Sequence, residues 1–283
     1  MNRRSFLRTS GTALAATTFA SSTAMNALAA ARSAGVPDTL GIQLYSLRDI
    51  FPGDVIGTLD MLTRFGYGEV EFAGLHDRTP AVMRGALDTL GLVAPATHVG
   101  LDAILADEDA TFEMCRTMGH EYLVVPWLAP EDRPDRDGYL ELADRLNALG
   151  ERSKAAGVQL GYHNHDFEFD TFGGDTPAYD DFVARTDPEL VVMELDLYWI
   201  TKAGYDPLTY FERFPGRFPL WHVKDGAGSE LAQTHVGAGQ IDFARLFAAS
   251  ATAGLKHAFI EHDNPEDSLA FARESIEYVE SLR

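Results

Sequence analysis

Leu190-Val-Val-Met-Glu-Leu-Asp196, a helical stretch near 206–214, and Leu220-Trp-His-Val-Lys224 form the passage on which the fold turns. Two short apolar runs, each ending in ionisable residues, stand one helix apart. That pattern predicts parallel strands joined by a helical crossover. Reading outward, the same unit recurs. Leu40–Tyr45, Glu69–Phe72, Leu92–His98, Tyr122–Val125 and Gln159–His165 are strand candidates upstream, and Ala258–Glu261 follows downstream. Helical periodicity fills the intervals at 54–65, 80–90, 108–118, 137–156, 177–186 and 241–253, and a last helix near 266–282 closes the chain. Val55, Leu59 and Leu62 have the spacing of a one-sided helix, and Gly66, Gly91, Gly157 and Gly254 stand where left-handed caps are expected.

Eight strands alternating with eight helices predict an α/β fold, a (β/α)₈ barrel. The alternative, a doubly wound sheet, usually places a glycine-rich phosphate loop after its first strand. Here that strand runs into Tyr45-Ser-Leu-Arg48. No composition break divides the chain, so residues 30–283 read as a single barrel domain. Residues 1–29 read as an address. Arg3-Arg4, Phe6 and Leu7 precede a weakly apolar run ending at Ala27-Leu28-Ala29, which predicts a twin-arginine export signal cleaved before Ala30. The expected location is periplasmic or extracellular.

Apolar residues make up 46% of the chain and charged residues 23%, which excludes a disordered or fibrous polymer. The net charge is −20; residues 1–29 hold three arginines and no acid, so the remainder carries −23. Such a surface repels phosphate backbones, and nucleic acid is excluded as a first partner. No later stretch is long enough to span a membrane. The lone Cys115 rules out an internal disulfide or a cysteine zinc site. Any metal must be held by His, Asp and Glu. Nothing in the pattern opposes a homo-oligomer.

Barrel enzymes work at the C-terminal ends of their strands. Ionisable and polar residues collect there: Gln43, Tyr45, Glu71, His98, His163, His165, Glu194, Asp196, His222, Lys224, Glu261 and His262. His163, Asp196, His222 and Glu261 end four successive strands at spacings of 33, 26 and 39 residues, about one β/α unit each. A single such residue is as readily a core histidine or a helix cap. Four converging on the axis are harder to explain so, because unpaired buried carboxylates are costly. Two imidazoles and two carboxylates suit one divalent ion, Mn²⁺ foremost, with Zn²⁺, Co²⁺ or Mg²⁺ as alternatives.

Gly161-Tyr-His-Asn-His-Asp-Phe-Glu-Phe169, Glu194-Leu-Asp-Leu-Tyr-Trp199 and His222-Val-Lys-Asp225 resemble the sugar phosphate isomerase/epimerase family of xylose isomerase-like barrels. Gly41-Ile-Gln-Leu-Tyr-Ser-Leu-Arg48 and Val236-Gly-Ala-Gly-Gln-Ile-Asp-Phe243 fit the same pattern. The resemblance implies metal ligands at Asp196, His222 and Glu261. It also exposes a departure: the epimerases usually carry a ligating, proton-moving glutamate on strand five. Here His163 is the favoured fourth ligand, with His165 or Glu168 as alternatives.

A divalent ion chelated by a sugar carbonyl and its neighbouring hydroxyl acidifies the C–H between them. Returning the proton gives isomerisation or epimerisation. Expelling a β-oxygen gives dehydration or glycoside cleavage. The expected activity is a metal-dependent sugar isomerase or epimerase acting through an enediolate on a neutral or keto sugar. The alternative is a keto-glycoside lyase or hydrolase, or a keto-sugar dehydratase, on the same site. Glu261, His165 and Lys224 are the candidate proton carriers, with the Lys224 pKa lowered by a nearby cation or, alternatively, the lysine simply paired with Asp225. Gln43, Tyr45, Glu71 and His98 are expected to bind sugar hydroxyls. Trp199 is expected to stack on the sugar, and Trp127 to pack in the core. Histidines acting neutral predict an activity limb near pH 6.

Overall fold

The structure, a computed structural model, describes residues 35–283. The export signal read at 1–29 lies outside the described residues. The predicted barrel is observed: β1 (Gly41–Gln43), β2 (Glu69–Phe72), β3 (Val93–His98), β4 (Tyr122–Val125), β5 (Gln159–His163), β6 (Val191–Asp196), β7 (Leu220–Val223) and β8 (His257–Ile260) run parallel. They pair in chain order, and β8 returns to β1, so no strand edge is left open. The surrounding helices are α1 (Val55–Phe65), α2 (Pro80–Leu90), α3 (Glu108–Met118), α4 (Arg136–Ala155), α5 (Ala178–Arg185), α6 (Pro207–Arg213), α7 (Phe243–Phe247) and α8 (Ser268–Glu280). Among the described residues, no helix is long and apolar enough to cross a membrane.

Part of the acidic excess serves these helices. Asp54, Asp107, Asp135, Asp206, Asp242 and Asp267 each cap a helix start by accepting a backbone N–H. Such a cap contributes typically ~1 kcal/mol. Gly254 closes the turn after 250–253 at φ 82°, and a Cβ there would sit 2.8 Å from the Gly216 backbone.

Side chains alternate inward and outward along each strand. The lower inward tier is apolar: Ala96, Tyr122, Val124, Leu220 and Phe259 form one buried cluster. Gly41 makes room for the Phe259 ring, which would lie 2.4 Å from an added Cβ. The tier above is polar. Register places Gln43 beside Glu71, His163 beside Glu194, and Asp196 beside His222. The sequence therefore builds an apolar floor and a polar ceiling from the same strands.

Three local features depart from the predicted elements. β1 stops at Gln43 and tightens into a turn over Leu44–Leu47. β5 stops at His163, not His165. Short helices at Leu101–Ala106 and Leu197–Lys202, and a hairpin pairing Asp225–Ala227 with Ala232–Thr234, fill loops above the barrel.

Candidate metal centre

His163, Asp196, His222 and Glu261 each offer an atom within 4.8 Å of the others. All four are buried. His163 Nδ1 lies 3.1 Å from the Pro126 carbonyl and must donate its hydrogen there, which leaves Nε2 unprotonated toward Asp196 Oδ2 at 3.4 Å. Asp196 caps the short helix after β6, its Oδ1 accepting from the N–H groups of Tyr198 and Trp199 at 2.9 Å each. Its own N–H donates to Asn164 Oδ1, latching the β5 loop onto β6.

His163 Nε2 and Asp196 Oδ2 are buried without a hydrogen-bond partner. Oδ2 does face the Lys224 ammonium at 3.0 Å. These two unpartnered atoms, with His222 and Glu261 within 4.8 Å from the next two strand ends, fit a divalent cation. Of the three β5 candidates, His163 joins this cluster. Glu168 is turned away: Oε1 accepts from the Tyr162 hydroxyl and Oε2 from the His165 N–H. Burial pushes its carboxyl up to about 7.

A second constellation lies beneath and shares His222: Glu71, His98 and Glu194. Glu71 Oε2 faces His222 Nε2 and Gln43 Nε2, both at 2.8 Å. His98 Nε2 lies 2.6 Å from Glu194, and its ring stacks on His222. With Glu261 Oε2 2.8 Å from Nδ1, the His222 ring meets a carboxylate at each nitrogen. Burial opposes its charge, but Glu194 and Glu261 outweigh burial and raise its pKa well above the usual value. Burial and Glu194 lift Glu71 to about 7, whereas His222 and His98 overcome burial at Glu194 and bring it to about 2.

Lys224 corrects two expectations. Its Nζ sits 2.6 Å from Glu261, 2.9 Å from Asp263 and 3.0 Å from Asp196, and Asp225 is not among its partners. Burial alone would lower its pKa, but these carboxylates, Asp196 foremost, win and raise it. Asp225 instead accepts backbone N–H groups from Gly237, Gly239 and Ile241. Lys224 thus balances Asp196 and Glu261, whose carboxyls are held below the usual range against the pull of burial. The pH 6 limb also needs correcting. Burial, reinforced by His222, lowers His163, and burial with His163 and Lys224 brings His165 to about 2.

A cavity of about 460 Å³ opens above the cluster, lined by Tyr45, His98, Trp127, His163, His165 and Glu261 among others. Gln43 and Glu71, expected to meet sugar hydroxyls, are fully buried and do not line it. The tryptophans exchange places. Trp127, expected in the core, is exposed at the cavity, because β4 ends at Val125 and Pro126 carries the chain outward. Trp199, expected at the sugar, stands behind His165 and does not line the cavity. Asp263, another lining residue, went unread; its place three residues past β8 was the available signal.

A closed parallel barrel with this polar ceiling defines an α/β barrel with a candidate metal site. The profile of the xylose isomerase-like TIM barrel family matches residues 62–282, and the chain belongs to that family. An inosose dehydratase from Lacticaseibacillus casei is 29% identical over 199 residues, covering 62% of this chain and 65% of the relative. A solved sugar phosphate isomerase/epimerase from Parabacteroides distasonis superposes with a TM-score of 0.75 at 24% identity, covering 85% of this chain and 96% of that one. The IOLI protein, solved with a bound zinc atom, gives a TM-score of 0.69 at 17% identity, covering 86% of this chain and 96% of that one.

Proposed function

We propose that this protein is a divalent-metal-dependent dehydratase or lyase of a neutral keto sugar. The carrying observation is the β5 end. Neither of its carboxylates lines the cavity: Glu168 is held away by Tyr162 and the His165 N–H, Asp166 is not at the cavity wall, and imidazoles face the cavity instead. Epimerisation asks for a proton carrier on each face of a carbon, whereas elimination asks for one base and a donor to the departing oxygen. The dehydratase name of the Lacticaseibacillus relative supports the same choice.

His163, Asp196, His222 and Glu261 would hold the ion, with Mn²⁺ first and Zn²⁺ supported by the IOLI protein. When bound, it would polarise the ketone and its neighbouring hydroxyl, acidifying the C–H between them. Glu261, at the cavity wall, takes that proton. The C–H electron pair becomes a C=C bond, and the β-carbon–oxygen bond breaks. His165, neutral and facing the cavity, donates a hydrogen bond to the departing oxygen, which takes a proton from solvent and leaves as water or an alcohol, while Glu261 returns its proton to solvent. The ammonium of Lys224 stays beside Glu261 and keeps it ionised. Export, read from Arg3-Arg4 and Ala27-Leu28-Ala29, belongs to this proposal, since neutral sugars are the ones met outside the cytoplasm.

Metal-loaded protein incubated with keto sugars and keto-glycosides tests it. Elimination yields a conjugated enone with ultraviolet absorbance and releases water or alcohol. A product of unchanged mass would restore the isomerase or epimerase reading.

A further inference from the structure

The cavity is longer than the reacting centre. His163, His165, Glu261 and Asp263 form the wall at the metal cluster, and Tyr45, Ala73 and Trp127 line the rest. Trp127 is 47% exposed and Tyr45 43%, and they are the two large exposed apolar residues that line this cavity. They leave β1 and β4, three strand steps apart around an eight-stranded ring, and so flank the mouth from well-separated sides. Between them, after β2, stands the small Ala73, which leaves the gap open. Solvent-exposed aromatic surface concentrated at a pocket marks a binding surface more than a packing need.

The Tyr45 ring is braced. The Arg48 guanidinium covers it at 4.3 Å, while its nitrogens bond the Tyr45 carbonyl and Asn264. The Trp127 backbone is anchored by its neighbours, since the Pro126 carbonyl receives the His163 hydrogen bond and Leu128 is buried. A fixed aromatic face is pre-organised, so little freedom is lost when a flat ring settles on it.

We infer that Trp127 and Tyr45 form an outer subsite for a second ring, joined by a glycosidic bond to the keto sugar at the metal cluster. The substrate class is a glycoside, and the group expelled is an alcohol bearing that ring. The inference rests on the elimination proposed above and extends it from a free sugar to a two-ring ligand. The second ring is either an aryl group or another sugar; both present a flat face of the kind these aromatics stack on. A flat ring without charge also suits a strongly acidic chain.

The test is binding, not turnover. Phenyl β-glucoside, cellobiose and glucose lack the ketone, so they bind without reacting. Titrated into metal-loaded protein and followed by tryptophan fluorescence and calorimetry, either two-ring ligand should bind about 3- to 10-fold tighter per aromatic contact than glucose. Trp127→Ala should remove the Trp127 share of that advantage, about 3- to 10-fold, while leaving glucose affinity and metal content unchanged, and Trp127→Phe should keep most of it. The tighter of the two ligands identifies the ring. Equal weakening of all three ligands by Trp127→Ala overturns the subsite, as does no change in any of them. Elimination from keto sugars with a subsite indifferent to Trp127→Ala refutes this inference alone. Two-ring binding through Trp127 without elimination refutes the reaction alone.

Discussion

Glu71 makes the most informative perturbation, because it touches His222 from the side opposite the proposed ion. Its Oε2 receives Gln43 and His222 at 2.8 Å each in a fully buried setting. Glu71→Ala removes the nearest acceptor of the Gln43 amide and of the His222 N–H, leaving Nε2 only Glu194 at 3.3 Å, at roughly 1–3 kcal/mol apiece. Relief of the repulsion between Glu71 and Glu194 offsets part of that, so a loss of ~2–4 kcal/mol of fold stability is expected. A typical domain has ~5–15 kcal/mol, so the variant should still fold. With its best acceptor at Nε2 gone, the His222 ring is less firmly oriented, and metal affinity should fall about 10- to 100-fold. Glu71→Gln keeps an oxygen where both donors converge and should stay within about 10-fold of the parent. Calorimetric titration with Mn²⁺ and Zn²⁺ against a competing chelator reads the affinity, and circular dichroism reads the fold. A folded Glu71→Ala protein with parental metal affinity would show that His222 needs no outer partner.

On β5, His163→Ala should weaken metal binding by at least 10- to 100-fold. His165→Ala should keep the metal and lose about 10²- to 10³-fold in turnover, the scale of a lost donor to a charged oxygen. Glu168→Gln should leave metal affinity untouched, and metal loss there would mean that the carboxylate reaches the cluster. Asp196→Asn should abolish binding while keeping the helix cap through its remaining oxygen, whereas Asp196→Ala should also lose ~1 kcal/mol of stability; full metal content by elemental analysis in either variant refutes the ligand assignment. Far from the site, His120 donates from Nδ1 to the Ala94 carbonyl, and burial lowers its pKa from 6.5 to about 4. The unfolded chain therefore takes up the proton first as pH falls. Its contribution is whole above pH 6.5 and is lost toward pH 4, by ~3 kcal/mol at most. Denaturant midpoints from pH 7 to 4 should fall less steeply for His120→Gln than for the parent, and parallel curves would refute the assignment.

The strand periodicity carried most of the architecture because each parallel strand is buried on both sides and reads as a short apolar run. β2, β4 and β7 fall where the pattern placed them. The four-residue cluster was legible for the same reason, since strand ends set the register and register sets which side chains meet. Depth was not legible. Gln43 and Tyr45 are two residues apart, yet one is buried under the cluster and the other is exposed at the rim. The tight turn over Leu44–Leu47 decides this, and no local pattern announced that turn. The two tryptophans were exchanged for a related reason: each follows a strand closely, but a proline carries Trp127 outward while a helix turns Trp199 behind His165.

The motif at 161–169 shows why a family resemblance fixes a scaffold before it fixes a reaction. Its polar residues divide by task. His163 reaches the cluster, Asn164 holds β6, His165 faces the cavity, and Glu168 folds the loop by binding Tyr162 and the His165 backbone. A glutamate in such a stretch invites assignment as the proton carrier. Here both of its oxygens are committed to shape, and burial raises its carboxyl toward neutrality. Freeing that carboxylate would require breaking two buried hydrogen bonds and unlatching the loop that positions His165. In the proposed elimination the proton carrier facing the substrate is Glu261, just past β8, and the β5 side offers imidazole donors. That asymmetry favours the proposal of expelling a group over returning a proton.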